Sequence, residues 1–206
     1  MQLNLSAFHY KYQDYQYSSF ATLDVLNAQG QSIGTNMFVL INNAGDTSIN
    51  GAEAELEAAP WKLGRITASV TYLDAKYGQA VLPNNDFVNQ GLYNLKGHQI
   101  QNSPDLAANL GFEQGFVFGP GTLTLGINSH LSTSYYTTPE QYLPGAHQKG
   151  YTRTDLSVRY EADAGFSISA ILRNIENDAQ TSYVFPAYRR FITAPRTFVV
   201  TAGYKF

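Results

Sequence analysis

The sequence predicts an all-β fold, an antiparallel sheet of about eight strands in the wall of a membrane-spanning barrel. Three observations support this prediction. Apolar and polar residues alternate along eight segments, which is the two-residue period of a strand. The connections between these segments are alternately short and long. The closing segment, Arg196–Phe206, ends on an aromatic residue, as suits the aromatic girdle of a barrel in lipid.

The strands and connections can be assigned in chain order. No segment keeps a 3.6-residue period, so no helix is expected. Bacterial membrane barrels join their strands by short turns at one end and long loops at the other. The predicted strands are Gln2–Tyr17, Asn36–Ala59 with an irregular middle at 42–46, Arg65–Tyr77, Ser103–Phe116, Gly121–Ser134, Tyr151–Ala162, Phe166–Asn174 and Arg196–Phe206. The short connections are Pro60–Gly64, Gln114–Pro120 and Glu161–Gly165, and the long ones are Ser18–Thr35, Gly78–Asn102, Tyr135–Gly150 and Ile175–Pro195.

Each predicted strand has one apolar and one polar face. In the fifth strand, for example, Leu123 and Leu125 alternate with Thr122 and Thr124. An apolar outside and a wet inside fit a wide barrel in lipid. A soluble sandwich with a polar outside has the same period, so the alternation alone leaves that alternative open.

Composition narrows the function. Charged residues make up 14% of the 206 residues, below the roughly 25% of ordinary soluble domains. The net charge of −3 gives no basic surface for nucleic acid, and the absence of Cys excludes disulfides and thiolate metal sites. The uncharged run 114–139 is too polar for a membrane helix, and the first residues do not form a signal peptide.

No catalytic or metal-binding pattern emerges. The four His residues lack metal-ligand spacing, and no G-x-S-x-G phrase occurs. Glu53, Glu55 and Glu57 share one strand face, where they are expected to be solvated lumen charges, although a cation or a neighbouring Arg could also bind them. We therefore expect no enzyme, no cofactor and no metal site.

Two long connections are rich in aromatic and basic residues. Such side chains suit recognition of an aromatic, anionic or metal-chelate ligand, and girdle aromatics with ordinary loop charge are the alternative explanation. Trp61, in a short turn, is expected to anchor the chain at the inner membrane interface. The candidate ligand-binding residues are Tyr135, Tyr136, Tyr142, His147, Tyr183, Tyr188, Arg189 and Arg190.

Several phrases, in this order, resemble the C-terminal barrel of TonB-dependent outer-membrane receptors. They are Asn43-Ala-Gly45 followed by Ile49-Asn-Gly-Ala-Glu-Ala-Glu-Leu56, Ser69–Tyr77, Asn102-Ser-Pro104 followed by Ala108–Gly111, Tyr151-Thr-Arg-Thr-Asp155, Leu172-Arg-Asn174 with Tyr183, and Ala194-Pro-Arg-Thr197 with Tyr204-Lys-Phe206. The family usually has Leu-Phe where this chain has Ile-Glu-Asn after Asn174. The resemblance covers nearly the whole chain.

The resemblance implies a fold and a function. Residues 1–206 would be the last eight strands of a 22-stranded barrel, with the plug domain, the TonB box and the signal peptide absent. The parent would be an outer-membrane receptor of a Gram-negative bacterium that takes up scarce nutrients, energised through TonB by way of the plug. The resemblance implies ferric siderophores as the first candidates, with cobalamin, haem and sugars as alternatives. The closing strand would be read by the outer-membrane assembly machinery, through Phe198, Val200, Ala202, Tyr204 and Phe206.

Two other readings remain at this point. One is a free-standing eight-stranded barrel, either structural or a passive pore. Its interior would be only wide enough for side chains, and the small inward residues of this chain would fill it poorly. The other is a soluble all-β binding module such as a lectin, which would stay in solution without detergent.

Overall fold

The computed structural model describes residues 1–43, 45–85, 90–185 and 189–205, with the backbone only at 19–22, 83–85, 90, 91, 185 and 189. Within these ranges the regular structure is entirely β-strand, and no helix could cross a membrane. The strands are β1 Gln2–Tyr12, β2 Gln16–Leu26, β3 Ser32–Asn43, β4 Thr47–Ala58, β5 Gly64–Lys76, β6 Val81–Asn85, β7 Gln90–Asn94, β8 Leu106–Val117, β9 Gly121–Ser132, β10 Tyr135–Tyr136, β11 His147–Gln148, β12 Tyr151–Ala162, β13 Phe166–Arg173, β14 Thr181–Phe185, β15 Arg189–Ile192 and β16 Thr197–Tyr204.

Eight long strands form one antiparallel sheet in the order β1-β4-β5-β8-β9-β12-β13-β16. Each neighbour in this sheet follows the previous one along the chain, apart from the small hairpins in between. The predicted number of wall strands and their pairing are therefore confirmed. Because the neighbours are antiparallel, the three short turns lie at one end of the sheet and the four long connections at the other, as expected.

The long connections are more regular than the sequence suggested. We name them loop 1 (residues 13–46), loop 2 (77–105), loop 3 (133–150) and loop 4 (174–196). Each contains its own two-stranded hairpin: β2–β3, β6–β7, β10–β11 and β14–β15 respectively. The two-residue alternation of these hairpins is short or mixed with turn residues, so it did not stand out from the surrounding sequence.

The prediction of one continuous first strand over Gln2–Tyr17 is wrong, because β1 ends at Tyr12. Tyr12 pairs with Thr47 and Gln16 pairs with Asn43, so three residues interrupt each side without changing the register. Asp14 has φ 54° and Gly45 has φ 60°, a conformation that bends the backbone locally. The expected irregular middle of the second segment is thus confirmed, and it lies opposite the break in the first.

The two faces of the sheet match the predicted faces. The lumen face carries the hydroxyl, amide and charged residues, and the other face carries large apolar residues that remain exposed. The exposed apolar side chains include Leu3, Leu5, Val70, Tyr72, Leu106, Leu110, Phe112, Leu125, Ile127, Leu156, Val158, Ile168, Phe198 and Val200.

The apolar surface forms a band that slants across the strands. One row of paired residues, Ala58, Ile66, Phe112, Ile127, Leu156, Leu172 and Phe198, is apolar throughout. On β4 this row lies at the end of the apolar stretch Ala52–Ala58 that is nearest the short turns. On β16 it lies at the end of the stretch Phe198–Tyr204 that is nearest the long loops. From β4 to β16 the apolar stretch is therefore displaced by about 20 Å along the strand direction, while the two strands are about 29 Å apart across the sheet. The band slopes by about 35° relative to the row of paired residues. That slope agrees with the tilt of about 35–45° that strands have in membrane barrels, so the band is level in the membrane.

The sheet is an open segment of a barrel wall. β1 and β16 stand at its two edges, and within the described residues no hydrogen bonds join them. The free-standing eight-stranded barrel needs that pairing to close, so it is not the fold observed here.

Candidate functional site

The buried core of this chain lies in the loops, above the lumen face of the sheet. Tyr17 of loop 1 and Tyr77 of loop 2 pack edge to face, with ring centroids 5.9 Å apart. Leu82 and Leu95 of loop 2 are fully buried beside them. The Tyr17 hydroxyl donates to the carbonyl oxygen of Val81 at 3.4 Å. Loops 1 and 2 therefore form one packed unit.

Loop 2 is joined to loop 3 through His98. Its Nδ1 lies 3.0 Å from Oε1 of Gln141 and 3.3 Å from the hydroxyl of Tyr93. The Gln141 side chain also donates from Nε2 to the carbonyl oxygen of Gln99 at 2.7 Å. Tyr142, a predicted ligand residue, packs against Tyr93 with ring centroids 5.1 Å apart. Tyr142 therefore contributes to the contact between two loops, a role that the sequence did not reveal.

Three other predicted residues lie on the two short strands of the loop 3 hairpin. Tyr136 pairs with His147 across β10 and β11, and their rings are 5.1 Å apart. Tyr135, the neighbour of Tyr136, is partly buried. Burial, together with the charge and hydrogen bond of Tyr151, raises the pKa of Tyr135 to about 12. Tyr136 and His147 thus form an aromatic and imidazole pair, whereas the side chain of Tyr135 interacts with Tyr151.

Loop 4 contacts loop 3 at two points. The backbone nitrogen of Thr181 donates to Oε1 of Gln148 at 2.6 Å. The Arg190 side chain lies directly over Gly145, where a Cβ would be 2.8 Å from the arginine Cδ. Gly145 also has φ +82°, so this close approach needs glycine for two reasons.

The remaining predicted residues belong to loop 4, and the structure describes only some of their side chains. The ring of Tyr183 lies 6.4 Å from that of Phe191 within loop 4. Tyr188 lies outside the described residues, and Arg189 is described in its backbone only. The candidate set thus divides into residues on the loop 3 hairpin and residues on the loop 4 hairpin, which touch where Arg190 meets Gly145.

Sequence reasoning missed the buried polar residues that hold the loops. Glu140 is only 2% exposed and accepts a hydrogen bond from the hydroxyl of Thr138. Asn174 is completely buried, and its Nδ2 donates to the carbonyl oxygens of Asp178 at 3.0 Å and Ala194 at 3.1 Å. The only signal for Glu140 is that it ends a long uncharged run, which also describes an exposed turn. Asn174 lies in a phrase that resembles the family, but no local pattern in the sequence indicates that it is buried.

The carboxylates on β4 have partners within the wall. Glu57 pairs with Arg65 on the neighbouring strand at 3.0 Å. Glu53 and Glu55 accept hydrogen bonds from Ser6 and Asn4 of β1, at 3.3 and 3.4 Å. All of these groups are exposed on the lumen face, which agrees with solvated lumen charge and, for Glu57, with the expected pairing to an arginine.

The short-turn end carries the one tryptophan. Trp61 is half exposed, its ring lies 6.2 Å from that of Phe112, and its Nε1 donates to the side chain of Gln114. An indole that rests on the apolar band and bonds to a polar group suits the membrane interface.

The closing strand β16 lies on the sheet edge. Phe198, Val200 and Tyr204 project from its apolar face and are more than half exposed, and Ala202 lies on the same face. Phe206 lies outside the described residues.

Together, the slanted apolar band, the polar lumen face and the packed loops at one end define a segment of a transmembrane barrel wall. The family model described as TonB dependent receptor-like, beta-barrel, matches residues 1–175. The chain therefore belongs to the TonB-dependent receptor β-barrel family. This family and fold are those of transport receptors, not of enzymes.

Solved structures agree with this assignment. The siderophore receptor PiuA of Acinetobacter baumannii matches with a TM-score of 0.71 and 17% identity, over 99% of this chain and 26% of PiuA. BauA, the ferric preacinetobactin receptor of the same organism, gives a TM-score of 0.67 and 22% identity, over 99% of this chain and 27% of BauA. The closed form of Fiu, the ferric-catecholate import receptor of Escherichia coli K12, matches with a TM-score of 0.68 and 15% identity, over 99% of this chain and 25% of Fiu.

The chain thus spans about a quarter of the length of these receptors. At these identities the likeness shows the fold. A comparison with curated protein sequences finds no match.

Proposed function

We propose that this chain is the C-terminal wall segment of an outer-membrane receptor that imports scarce nutrients, with ferric siderophores as the substrates. In this proposal the receptor resides in the outer membrane of a Gram-negative bacterium, and TonB energises it through a plug domain outside residues 1–206. The observation that carries the proposal is the combination of a level lipid-facing band with a packed loop assembly above the lumen. The names of the matched receptors, all of which bind siderophores or import their iron complexes, supply the substrate class.

The proposed ligand contacts are the exposed imidazole and guanidinium groups of loops 3 and 4 and the partly buried aromatic groups beside them. His147 is exposed beside Tyr136, and Arg190 is exposed where loop 4 meets loop 3. A guanidinium and phenol or imidazole donors suit the anionic oxygens and rings of an iron chelate. Tyr135, Tyr142, Tyr183, Tyr188 and Arg189 complete the proposed set.

The experiment is uptake of radioactive iron by cells that express the full-length receptor, with iron offered as a catecholate or as a hydroxamate complex. Uptake should occur with at least one complex and should stop when TonB is deleted. His147→Ala and Arg190→Gln should weaken apparent affinity, whereas Lys149→Gln, an exposed cation of the same loop 3, should leave it unchanged. Uptake that continues without TonB would refute the energised-transport part of the proposal.

The closing strand is proposed to be the signal for the assembly machinery, through Phe198, Val200, Ala202, Tyr204 and Phe206. Deleting Phe206 in the full-length receptor should lower the amount of folded, heat-modifiable barrel in the outer membrane. Phe118→Ala removes a 65% exposed aromatic residue at the short-turn end of the wall and serves as the control. If the unaltered receptor, the Phe206 deletion and Phe118→Ala reached the same level in the outer membrane, Phe206 would have no role in assembly.

A further inference from the structure

The backbone of His98 is attached to the packed core of loops 1 and 2. Its nitrogen donates to the carbonyl oxygen of Leu95 at 2.8 Å, and its carbonyl oxygen accepts from the nitrogen of Tyr77 at 2.9 Å. Leu95 is completely buried and Tyr77 is 2% exposed, and both belong to the loop core. The position of the imidazole is therefore fixed by the most buried part of the loops.

The hydrogen bonds of Gln141 decide which nitrogen of the His98 ring carries the proton. Nε2 of Gln141 donates to the carbonyl oxygen of Gln99 at 2.7 Å, and a carbonyl oxygen accepts but does not donate, so the amide cannot be turned around. Oε1 of Gln141 therefore faces His98 Nδ1, at 3.0 Å. Because this oxygen is also an acceptor, Nδ1 of the neutral ring carries the hydrogen and donates it. Nε2 of His98 then carries a lone pair.

This second ring nitrogen, Nε2, is an open acceptor. Within the described residues the hydrogen bonds of the His98 ring are made by Nδ1, and none is made by Nε2. The ring is partly buried, but in the same part of the chain the one buried side-chain polar atom without a partner is Thr47 Oγ1. Nε2 is therefore accessible to solvent. An acceptor that is already held in one orientation loses little freedom when a donor binds to it.

The open nitrogen belongs to a group of rings that includes a proposed ligand contact. The Tyr93 ring stands nearly perpendicular to the His98 ring, at 87° with centroids 5.6 Å apart. Tyr93 makes a similar contact with Tyr142, at 70° and 5.1 Å. The Tyr93 hydroxyl is also a second, longer neighbour of His98 Nδ1, at 3.3 Å. His98 of loop 2 and Tyr142 of loop 3 are thus linked through one ring, so a ligand that contacts Tyr142 would lie close to His98.

We propose that His98 is a specificity-determining residue, because its Nε2 accepts a hydrogen bond from an N–H or O–H group of the bound ligand. The inference rests on the proposed function, which makes that ligand an iron chelate, and it adds the chemistry that the chelate must present. A chelate with a free amide or hydroxyl donor satisfies the lone pair of Nε2. A chelate that presents an acceptor oxygen there sets two lone pairs against each other and binds more weakly.

Two substitutions of His98 separate ligand recognition from loop packing. In His98→Asn the amide nitrogen lies where Nδ1 was and still donates to Gln141, but no atom replaces Nε2. In His98→Gln the longer side chain brings an acceptor oxygen to the place of Nε2, but the bond to Gln141 is lost. The measurement is equilibrium binding of radioactive ferric catecholate and hydroxamate complexes to the purified full-length receptor. His98→Asn should raise the dissociation constant about three- to tenfold, as expected for one hydrogen bond, and His98→Gln should raise it less.

The matched control is His9→Asn. His9 also contacts an amide oxygen through Nδ1, that of Asn50 at 2.7 Å, but it is exposed on β1 of the wall. Its substitution should leave the dissociation constant unchanged. A larger loss in His98→Gln than in His98→Asn would mean that the imidazole only supports the loops, and this order would overturn the inference. Equal affinity of His98→Asn and the unaltered receptor would overturn it as well.

Chemical modification tests the lone pair of His98 directly. In the reaction with diethyl pyrocarbonate, an accessible imidazole nitrogen attacks one carbonyl carbon and the C–O bond to the other half of the anhydride breaks. The ring then loses the proton of its other nitrogen, and the leaving ethyl carbonate takes up that proton and decomposes to carbon dioxide and ethanol. Peptide mass spectrometry should find His98 modified in the ligand-free receptor and protected when an iron complex is bound, whereas modification of His9 should not depend on the complex.

The outcomes distinguish this inference from the proposed function. An unreactive His98 in the ligand-free receptor, or a His98 that a bound complex does not protect, would refute the inference and leave the receptor function intact. If the unaltered receptor bound neither iron complex, the proposed function would fail, and the ligand assigned to His98 would fail with it.

Discussion

In the wall of this chain the large apolar side chains are exposed, whereas in the loops one cluster around Leu82 and Leu95 is buried and others, such as Ile33 and Leu92, remain exposed. Leu110 and Leu125 on the wall are 53% and 44% exposed, but Leu82 and Leu95 of loop 2 are 0% exposed. The two regions therefore fit different solvents. The wall satisfies its backbone through long strand ladders and presents its apolar residues to lipid, as a barrel must. The loops must instead exclude water by packing against one another.

The same contrast decides where polar groups can lie. On the lumen face of the wall, Glu57 and Arg65 are more than half exposed and pair in water, where an ion pair contributes little. In the loops, Glu140 and Asn174 are buried and need hydrogen-bond partners. Loss of a polar side chain should therefore be mild in the wall and severe in the loops.

The largest effect is expected in the loop core. Leu95→Ala should destabilise loops 1 and 2 by about 2–5 kcal/mol, because it removes a fully buried side chain and leaves a cavity. Leu92→Ala, in the same loop, alters a side chain that is 79% exposed and should be close to neutral. Hydrogen exchange of loop amides in the folded receptor measures both. Equal protection in the two variants would show that the loops have no core of their own.

A charge on the lipid face should have the next largest effect. Leu125→Arg should cost about 2–4 kcal/mol if the side chain meets lipid near the bilayer midplane. Thr124→Arg places the same charge one residue away on the lumen face and should be mild. A folding titration of the receptor in lipid vesicles compares the two. Equal tolerance would mean that the band does not face lipid.

Loss of a buried amide at the loop boundary should follow. Asn174 has φ 55° and bonds two backbone carbonyls of loop 4, so Asn174→Ala leaves both without their donor and strains the backbone. We expect a cost of about 1–3 kcal/mol. Asn128→Ala, on the exposed lumen face, provides the control and should cost far less. Thermal unfolding and proteolysis of loop 4 would measure the difference, and equal losses would contradict the contrast between wall and loops.

The wall could be predicted from the sequence because its signal is local. Leu123, Thr124 and Leu125 alternate in the sequence as they do in the sheet, and the lengths of the connections order the strands. The slant of the apolar band could not be predicted from the sequence, because it follows from the register of the strands. The register depends on how neighbouring strands pair and not on the sequence of a single strand. Phe112 and Leu156, for example, both pair with Ile127 although 44 residues separate them in the chain.

The loop site could be predicted only in part. The residue types of Tyr136 and His147 make them candidates for ligand binding. Their contact depends on a hairpin whose strands have two residues each, which is too short to show the two-residue alternation of a strand in the sequence. Glu140 is 2% exposed, although the residues next to it in the sequence are equally typical of an exposed turn. Composition marked loops 3 and 4 as candidates, but it could not show that one of the candidates, Tyr142, also packs against another loop.

The smallest predicted effect is a pH dependence of the stability of loop 3, which tests whether this loop excludes water better than the lumen face of the wall does. In the folded chain the pKa of Tyr135 is raised to about 12, first by burial and then by Tyr151, from an ordinary value near 10. The folded state therefore holds this proton more tightly than the unfolded loop does. The resulting stability is fully present below pH 10 and is lost as the pH rises from about 10 through 12. Tyrosinate absorbance of the receptor minus that of Tyr135→Phe reports this titration. Tyr151→Phe should lower the midpoint but keep it above the ordinary value, because the larger cause is burial. A midpoint near 10 in the unaltered receptor would show that water reaches Tyr135 as freely as it reaches the lumen face of the wall.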